Sequence, residues 1–359
     1  MSQSQLLPMS EFVYQRPDMD ELRSQHGRLL EQFDAAGSAA GQRAAILDWQ
    51  AWRREVGTQR SLANVRFRQD TADEAVKAEK EFFDEVGPVL REWGVEYSRK
   101  VLASPHRKAF EAEWGKLFLD ILAVDVASFE PAIADEMREE SKLANEYTAL
   151  CASAKIEFEG KTHNLSGMGK FYQDLDRNRR RAAQEARWAF FAANAAEFDR
   201  IYDGLVKVRT AMGRKLGHDN FIPLAYQRMT RTEYGPAEVA VFRDEVVEHI
   251  VPLVGRLVAD QAKALGLDKL TFSDSALRWP DGNPEPQGDD DDTISRAHEM
   301  YRQLGGEFHS FFEMLAGRGL MDLKMREGKA GGGFCTRFVK YEAPFIFANF
   351  NSTKNDVRV

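Results

Sequence analysis

Cysteine is nearly absent from this chain. Its two cysteines, Cys151 and Cys335, lie far apart in sequence. They cannot form a disulfide framework, and such usage suits a reducing cytoplasm, with a single bridge left open. No run of about 18 apolar residues occurs, which excludes a helical membrane span. The stretch from Met1 to Ser10 has no basic segment followed by an apolar one, so no secretory signal is read there. An excess of cations is missing as well. Lys and Arg number 49 against 57 Asp and Glu, a net charge of −8. That balance argues against general nucleic-acid binding, while leaving room for a local basic patch. A cytoplasmic protein with no nucleic-acid and no membrane partner is expected.

Histidine is poorly spaced for metal chemistry. The histidines are His26, His106, His163, His218, His249, His298 and His309. A helical zinc site wants two histidines four apart with a glutamate as base, and no pair here has that spacing. His298-Glu299 is followed by Arg302 at the fourth position. Glu245 and His249 are four apart, which reads as a surface contact rather than a ligand pair. Neither cysteine sits in a zinc or nucleophile pattern, and Cys335 reads as a small buried residue in an apolar strand.

What is present is helical periodicity in a chain of 359 residues, long enough for a large core. Thr71-Ala72-Asp73-Glu74 reads as a capping box, with Val76, Phe83 and Leu90 continuing as a stripe. Ser104-Pro105 marks another helix start before Phe110, Trp114, Leu117 and Ile121. A single helix is expected through Phe191, Phe198, Leu205 and Met212, stopping at Gly217. Another starts near Gly235-Pro236, with Pro252 expected to kink it. A last one runs from Thr293 through Ile294, Tyr301, Phe308 and Leu315, its apolar stripe expected to override Gly305-Gly306.

Strands are few. Residues 155–165 read as a small hairpin turning at Gly160, and residues 333–341 and 345–350 as a second pair. The loop over 279–292, with its prolines and four aspartates, is expected to be irregular; the aspartates favour the start of the following helix. The run Gly-Lys-Ala-Gly-Gly-Gly over 328–333 has its lysine before the glycines and a strand after them. That order does not suit a phosphate loop and fits a hinge or a close backbone approach. The basic cluster at 177–181 reads as a solvated helix face. The residues alone describe a soluble, mainly α protein with no assembled catalytic site.

The final stretch carries a resemblance. Asp322, Arg326 and Lys329, then Gly-Gly-Gly-Phe-Cys-Thr over 331–336, Ala-Pro-Phe-Ile-Phe-Ala-Asn-Phe-Asn over 343–351 and Asp356-Val357 resemble oligoendopeptidase F sequences. Upstream, Glu157-Gly160-Lys161, Asp176-Arg180-Ala183, Arg209-Gly217-Asn220 and Trp279-Pro280-Asp281 are similar to the same family, so the likeness runs over about residues 60–359. The family is the oligoendopeptidase F / thimet-oligopeptidase family of zinc metallopeptidases. The resemblance implies a mainly α, two-lobed architecture, with small β-hairpins near 155–165 and 333–350 and a channel that admits short peptides. Chain length alone sets a lobe boundary near Arg200–Gly217, giving an N-terminal helical lobe over 1–205 and the beginning of a catalytic lobe over 206–359. In the family, zinc is held by a His-Glu-x-x-His helix and a later glutamate; this segment ends at Val359 without that motif. Zinc is thus implied for the full-length family enzyme and none for this segment, which should be inactive alone. The substrate side carries over as Phe347, Ala348, Asn349 and Phe350, resembling the edge strand that holds peptide backbones, with Gly331, Gly332 and Gly333 as a loop over the channel. Two other readings stay open: a non-catalytic helical peptide-binding protein, and a half that needs a C-terminal partner chain carrying the missing catalytic segment. An apolar strand so near the chain end is expected to be poorly covered over 333–359.

Overall fold

The structure, a computed structural model, describes residues 7–358; residues 1–6 of the stretch read for a secretory signal, and the terminal Val359, lie outside the described residues. The first half is a helical bundle. Helices α1 (Met19–Ala35), α2 (Ala39–Gln69), α3 (Glu74–Ala103), α4 (Arg107–Trp114) and α5 (Lys116–Ala127) enclose a core containing Trp49, Trp93, Tyr97, Phe110 and Leu119. Trp49 stacks on Tyr97 with ring centroids 4.3 Å apart, the offset geometry that aromatic pairs favour.

Helix α2 is the spine. Ser38 caps it through Gly41 N, and Arg66 and Arg68 sit in its last turn, where cations suit the negative end of the helix dipole. Its first half shows one buried stripe, Ala45, Ile46 and Trp49, facing the bundle. In its second half Leu62, Ala63, Val65 and Phe67 are all buried. A helix buried around most of its girth has neighbours on several sides. Here Leu62 and Val65 leave the bundle core and join Phe12, Phe338, Phe345 and Phe347 against a small sheet.

Helix α6 (Ala134–Ala152) follows, then the hairpin β1 (Ile156–Phe158) and β2 (Lys161–His163), paired antiparallel. Helices α7 (Arg177–Ala193), α8 (Ala195–Lys215), α9 (Ile222–Arg228), α10 (Pro236–Glu245), α11 (Val251–Ala264), α12 (Asp290–Leu304) and α13 (Gly306–Gly317) complete the helical part. The last sheet has strands β3 (Met321–Lys324), β4 (Phe334–Phe338) and β5 (Ala343–Phe350) in the order β3-β5-β4. Strand β5 runs parallel to β3 and antiparallel to β4. The architecture is mainly α with small β elements, as the sequence implies.

Several local expectations change. Asp73, not Thr71, caps α3: its carboxylate accepts from Ala75 N and Val76 N, while Thr71 donates both its amide and its hydroxyl to Gly328 O. The single helix through Phe191 breaks at Asn194, whose side chain bonds Phe190 O at 2.8 Å and so ends α7. The kink at Pro252 takes the form of a wide π turn, Val246–Ile250, just before it; the ring and missing N–H of proline disturb the preceding turn. The stripe from Thr293 does not override its glycines. Gly305 and Gly306 sit at φ +67° and +55°, a left-handed pair that glycine adopts without steric cost, and the helix splits there.

Strand β3 was not anticipated, and it makes β5 the middle strand rather than an edge. The poor cover expected near the chain end is also overturned for β5, since Phe345, Phe347 and Phe350 are buried. Cys335 faces the opposite way from its neighbours Phe334 and Thr336 and is exposed, not buried; strand alternation, which the apolar context masked, decides this.

Candidate substrate-binding site

One strand edge of the last sheet is open. Strand β4 is terminal in the strand order, and among the described residues its outward-facing backbone groups have no backbone partner in a neighbouring element. Strand β5, expected as the edge, is paired on both sides: Phe347 lies opposite Phe334 of β4 and opposite Asp322 of β3. Beyond Phe347 the ladder with β4 stops, and the glycine run takes its place.

That run is held at both ends. Gly328 O accepts from Thr71 N at 2.8 Å, and Ala330 N donates to Arg68 O at 2.8 Å. Asn349 Nδ2 donates to Ala330 O (3.0 Å) and Gly332 O (2.8 Å). Gly332 sits at φ +81°, which favours glycine. The structure therefore brings Gly331, Gly332 and Gly333 beside Asn349. It also takes the Ala348 carbonyl out of reach of a ligand, because the Lys329 ammonium bonds it at 2.6 Å.

Lys329 is the hub of this corner. Its side chain is fully buried, and besides Ala348 O it meets Asp322 O, Asp322 Oδ1 and Lys324 O at 2.8–3.0 Å. Arg326 and Gln69 close on the same Asp322 carboxylate. Burial pushes the Asp322 carboxyl up, but the hydrogen bonds from Arg326, Lys329 and Gln69 outweigh it and bring its pKa down to about 2. Burial lowers the Lys329 pKa, and Asp322 opposes that. The three residues singled out from sequence as Asp322, Arg326 and Lys329 thus form one network where β3 and β5 slip in register.

Beside β4 lies a cavity of about 570 Å³, bounded by α2, α3, α6 and Thr336. Four cations line it, Arg60, Lys80, Arg91 and Arg228, against one carboxylate, Asp84. Lys80 pairs with Asp84 at 2.5 Å, Arg91 with Asp125 at 2.7 Å and Arg228 with Glu140 at 2.7 Å. Arg60 has no ion pair among the described residues. Arg68, two turns further along α2, is half-buried; it makes no ion pair among the described residues, and its guanidinium lies 5.3 Å from the Phe334 ring centroid. Burial pulls the Lys80 ammonium below its usual value; Asp84 offsets this, and the fields of Arg60 and Arg68 pull it further down. Sequence reading missed this cavity, although Arg60, Asn64 and Arg68 recur at helical spacing.

The other candidates resolve as structure. The cluster at 177–181 is solvated only in part: Arg177, Asn178 and Arg181 are exposed, while Arg180 is not. Arg180 is buried and bonds Asp274 Oδ1 at 2.8 Å, and Arg177 bonds Asp274 Oδ2 at 2.8 Å. Burial raises the Asp274 pKa, yet the bonds from Arg177, Thr271 and Arg180 hold it well below the usual carboxylate range. Asp289 caps α12 through Asp291 N and Asp292 N, and Asp291 pairs with Lys324. Glu245 and His249 make an exposed 3.2 Å contact. Among the described residues, no group of three His, Cys, Asp or Glu side chains is placed to hold a metal ion, and no helix is long and apolar enough to cross a membrane.

Large apolar side chains are exposed along α10 and α11 and on α13, among them Phe242, Ile250, Leu257 and Phe308. The helix pair α10 and α11 buries only Gln261 and Ala262.

Comparison with known proteins fits this arrangement. Residues 9–129 match the peptidase M3 N-terminal domain. No curated protein matches the chain. Among solved structures, a protein assigned as an oligoendopeptidase F is 41% identical with a TM-score of 0.96, over 98% of this chain and 62% of its own. Another so assigned, from Bacillus anthracis str. Ames, is 39% identical with a TM-score of 0.96, over 98% of this chain and 65% of its own. PZ peptidase A, solved with an inhibitor, is 40% identical with a TM-score of 0.95, over 97% of this chain and 62% of its own. The chain spans less than two thirds of the length of each of these proteins. With the N-terminal domain of M3 peptidases in its first helices and the fold of these oligoendopeptidases over nearly its whole length, the chain belongs to the oligoendopeptidase F family of M3 peptidases.

Proposed function

We propose that this chain is part of a zinc-dependent oligoendopeptidase of the cytoplasm that hydrolyses short peptides, and that these residues supply the substrate-holding side. The open edge of β4 carries the reading. An extended peptide added there gains main-chain hydrogen bonds with little demand on its sequence. The loop at Gly331, Gly332 and Gly333 leads into that edge, and Phe347, Ala348, Asn349 and Phe350 support it from the middle of the sheet. Residues 1–205 serve as the N-terminal helical lobe and residues 206–359 as the beginning of the catalytic lobe; that division falls within α8.

The described residues offer no donor set that fits zinc. The metal and the hydrolytic step are therefore assigned to the share of the relatives that this chain does not span. A second reading, a half that needs a partner chain bearing the catalytic segment, is favoured by the bare apolar surface of α10 and α11. Both readings expect the isolated 359-residue chain to bind short peptides without cleaving them. The test is peptide binding and hydrolysis by protein of verified intact mass near 40.8 kDa, with zinc added. Cleavage by that chain alone overturns the assignment of the chemistry elsewhere, and absence of any peptide binding overturns the substrate-holding role.

A further inference from the structure

The geometry points to the cavity between α2, α3 and β4 as a carboxylate subsite that takes the free C-terminus of a short peptide lying along β4. The inference rests on the peptide-holding role of that edge and deepens it.

Charge is the first argument. The chain as a whole carries −8, yet this cavity is lined by four cations and one carboxylate. Three of those cations are answered by Asp84, Asp125 and Glu140. Arg60 has no ion pair among the described residues and is exposed at the cavity wall; Arg68, two turns further along α2 and outside the lining, has none among them either. A guanidinium without an anion at the cavity wall is free to receive a carboxylate, and the planar fork of arginine suits one well. Ser61, Asn64, Ser128 and Ser141 add further polar groups to the lining.

Position is the second argument. Helix α2 runs antiparallel to β4. At one end Thr58 Oγ1 accepts from Lys340 N at 3.0 Å, and at the other Arg68 O accepts from Ala330 N at 2.8 Å. Arg60, Asn64 and Arg68 therefore form a stripe of roughly 12 Å along the strand, at 1.5 Å per residue. Thr336 at the middle of β4 itself lines the cavity. A peptide on the open edge ends beside this stripe. A carboxylate on a peptide side chain shares the chemistry, so the two sources must be separated by experiment.

The test uses the whole 359-residue chain and three peptides of one sequence. One has a free C-terminus, one is its C-terminal amide, and one is the amide with an internal glutamate, all acetylated at the N-terminus. Affinities are read by calorimetry. The free acid is expected to bind about tenfold more tightly than the amide, in line with one charge-assisted contact. Arg60→Gln is expected to bring the two within about twofold; because Arg60 is exposed, this variant should fold normally. Equal affinity of acid and amide overturns the subsite while leaving the edge reading intact. Recovery of tight binding by the glutamate-containing amide overturns the C-terminal assignment in favour of side-chain recognition. An acid preference that survives both Arg60→Gln and Arg68→Gln removes the carboxylate from this cavity. Failure of all three peptides to bind overturns the edge reading and the subsite together.

Discussion

The ammonium of Lys329 lies 2.6 Å from the carbonyl oxygen of Ala348, and its side chain is fully buried. One residue thereby ties the glycine run, β3 and the middle strand β5 at the point where the β3–β5 register slips. Lys329→Met should keep the volume but leave the carbonyls of Asp322, Lys324 and Ala348 without this donor. Breaking a buried, hydrogen-bonded charge pair costs about 3–5 kcal/mol. Urea unfolding should register a loss of that order. A loss below about 1 kcal/mol would mean that water replaces the ammonium at low cost.

Asp322 makes the same corner sensitive to acid. Its folded pKa of about 2 lies below the ordinary aspartate value of 3.8, so the unfolded chain binds the proton more readily. Stability from this group is fully present above about pH 4 and is lost as pH falls toward 2. The difference corresponds to about 2 kcal/mol. Denaturant midpoints between pH 5 and 2 should fall less steeply in Asp322→Asn than in the parent chain. Identical slopes would remove Asp322 from the acid response.

How legible this corner was depends on the kind of signal. Asp322, Arg326 and Lys329 stood out through likeness to a family, and they form one network. Nothing local in the sequence indicates that β5 is a middle strand, because its second neighbour, β3, is only four residues long and is the next element after α13. The helices were readable from periodicity, but their breaks at Asn194 and Gly305 were not, since an apolar stripe continues across both. The cluster at 177–181 looked solvated because its partner, Asp274, lies far along the chain. The cavity beside β4 was invisible for the same reason: Arg60, Lys80 and Thr336 meet only once α2, α3 and β4 are packed.

Asp274 supplies a sharper stability test. Its side chain is fully buried, that of Arg180 is 3% exposed, and the two are 2.8 Å apart. Asp274→Asn leaves the Arg180 charge buried with a neutral partner, which should cost about 3 kcal/mol or more. The double variant Arg180→Leu/Asp274→Leu should recover much of that, because an apolar pair of similar size carries no desolvation penalty. A double variant as unstable as Asp274→Asn would show that the Thr271 capping turn, rather than the ion pair, depends on Asp274.

The exposed apolar surface makes a prediction opposite to the one drawn from the sequence end. Phe345 and Phe347 in β5 are 0% and 1% exposed, whereas Phe242 and Leu257 on α10 and α11 are 68% and 53% exposed. Hydrogen exchange should therefore be slow at the β5 amides, which have strands on both sides, and the bare surface of the isolated chain should lie on the two helices. A surface of that kind binds apolar dyes and promotes association. Phe242→Ser/Leu257→Ser should reduce dye binding and association while changing stability by no more than about 0.5 kcal/mol, since neither side chain is buried. Dye binding that stays unchanged, together with fast exchange in β5, would move the uncovered surface back to the sheet and with it the place where a catalytic segment must dock.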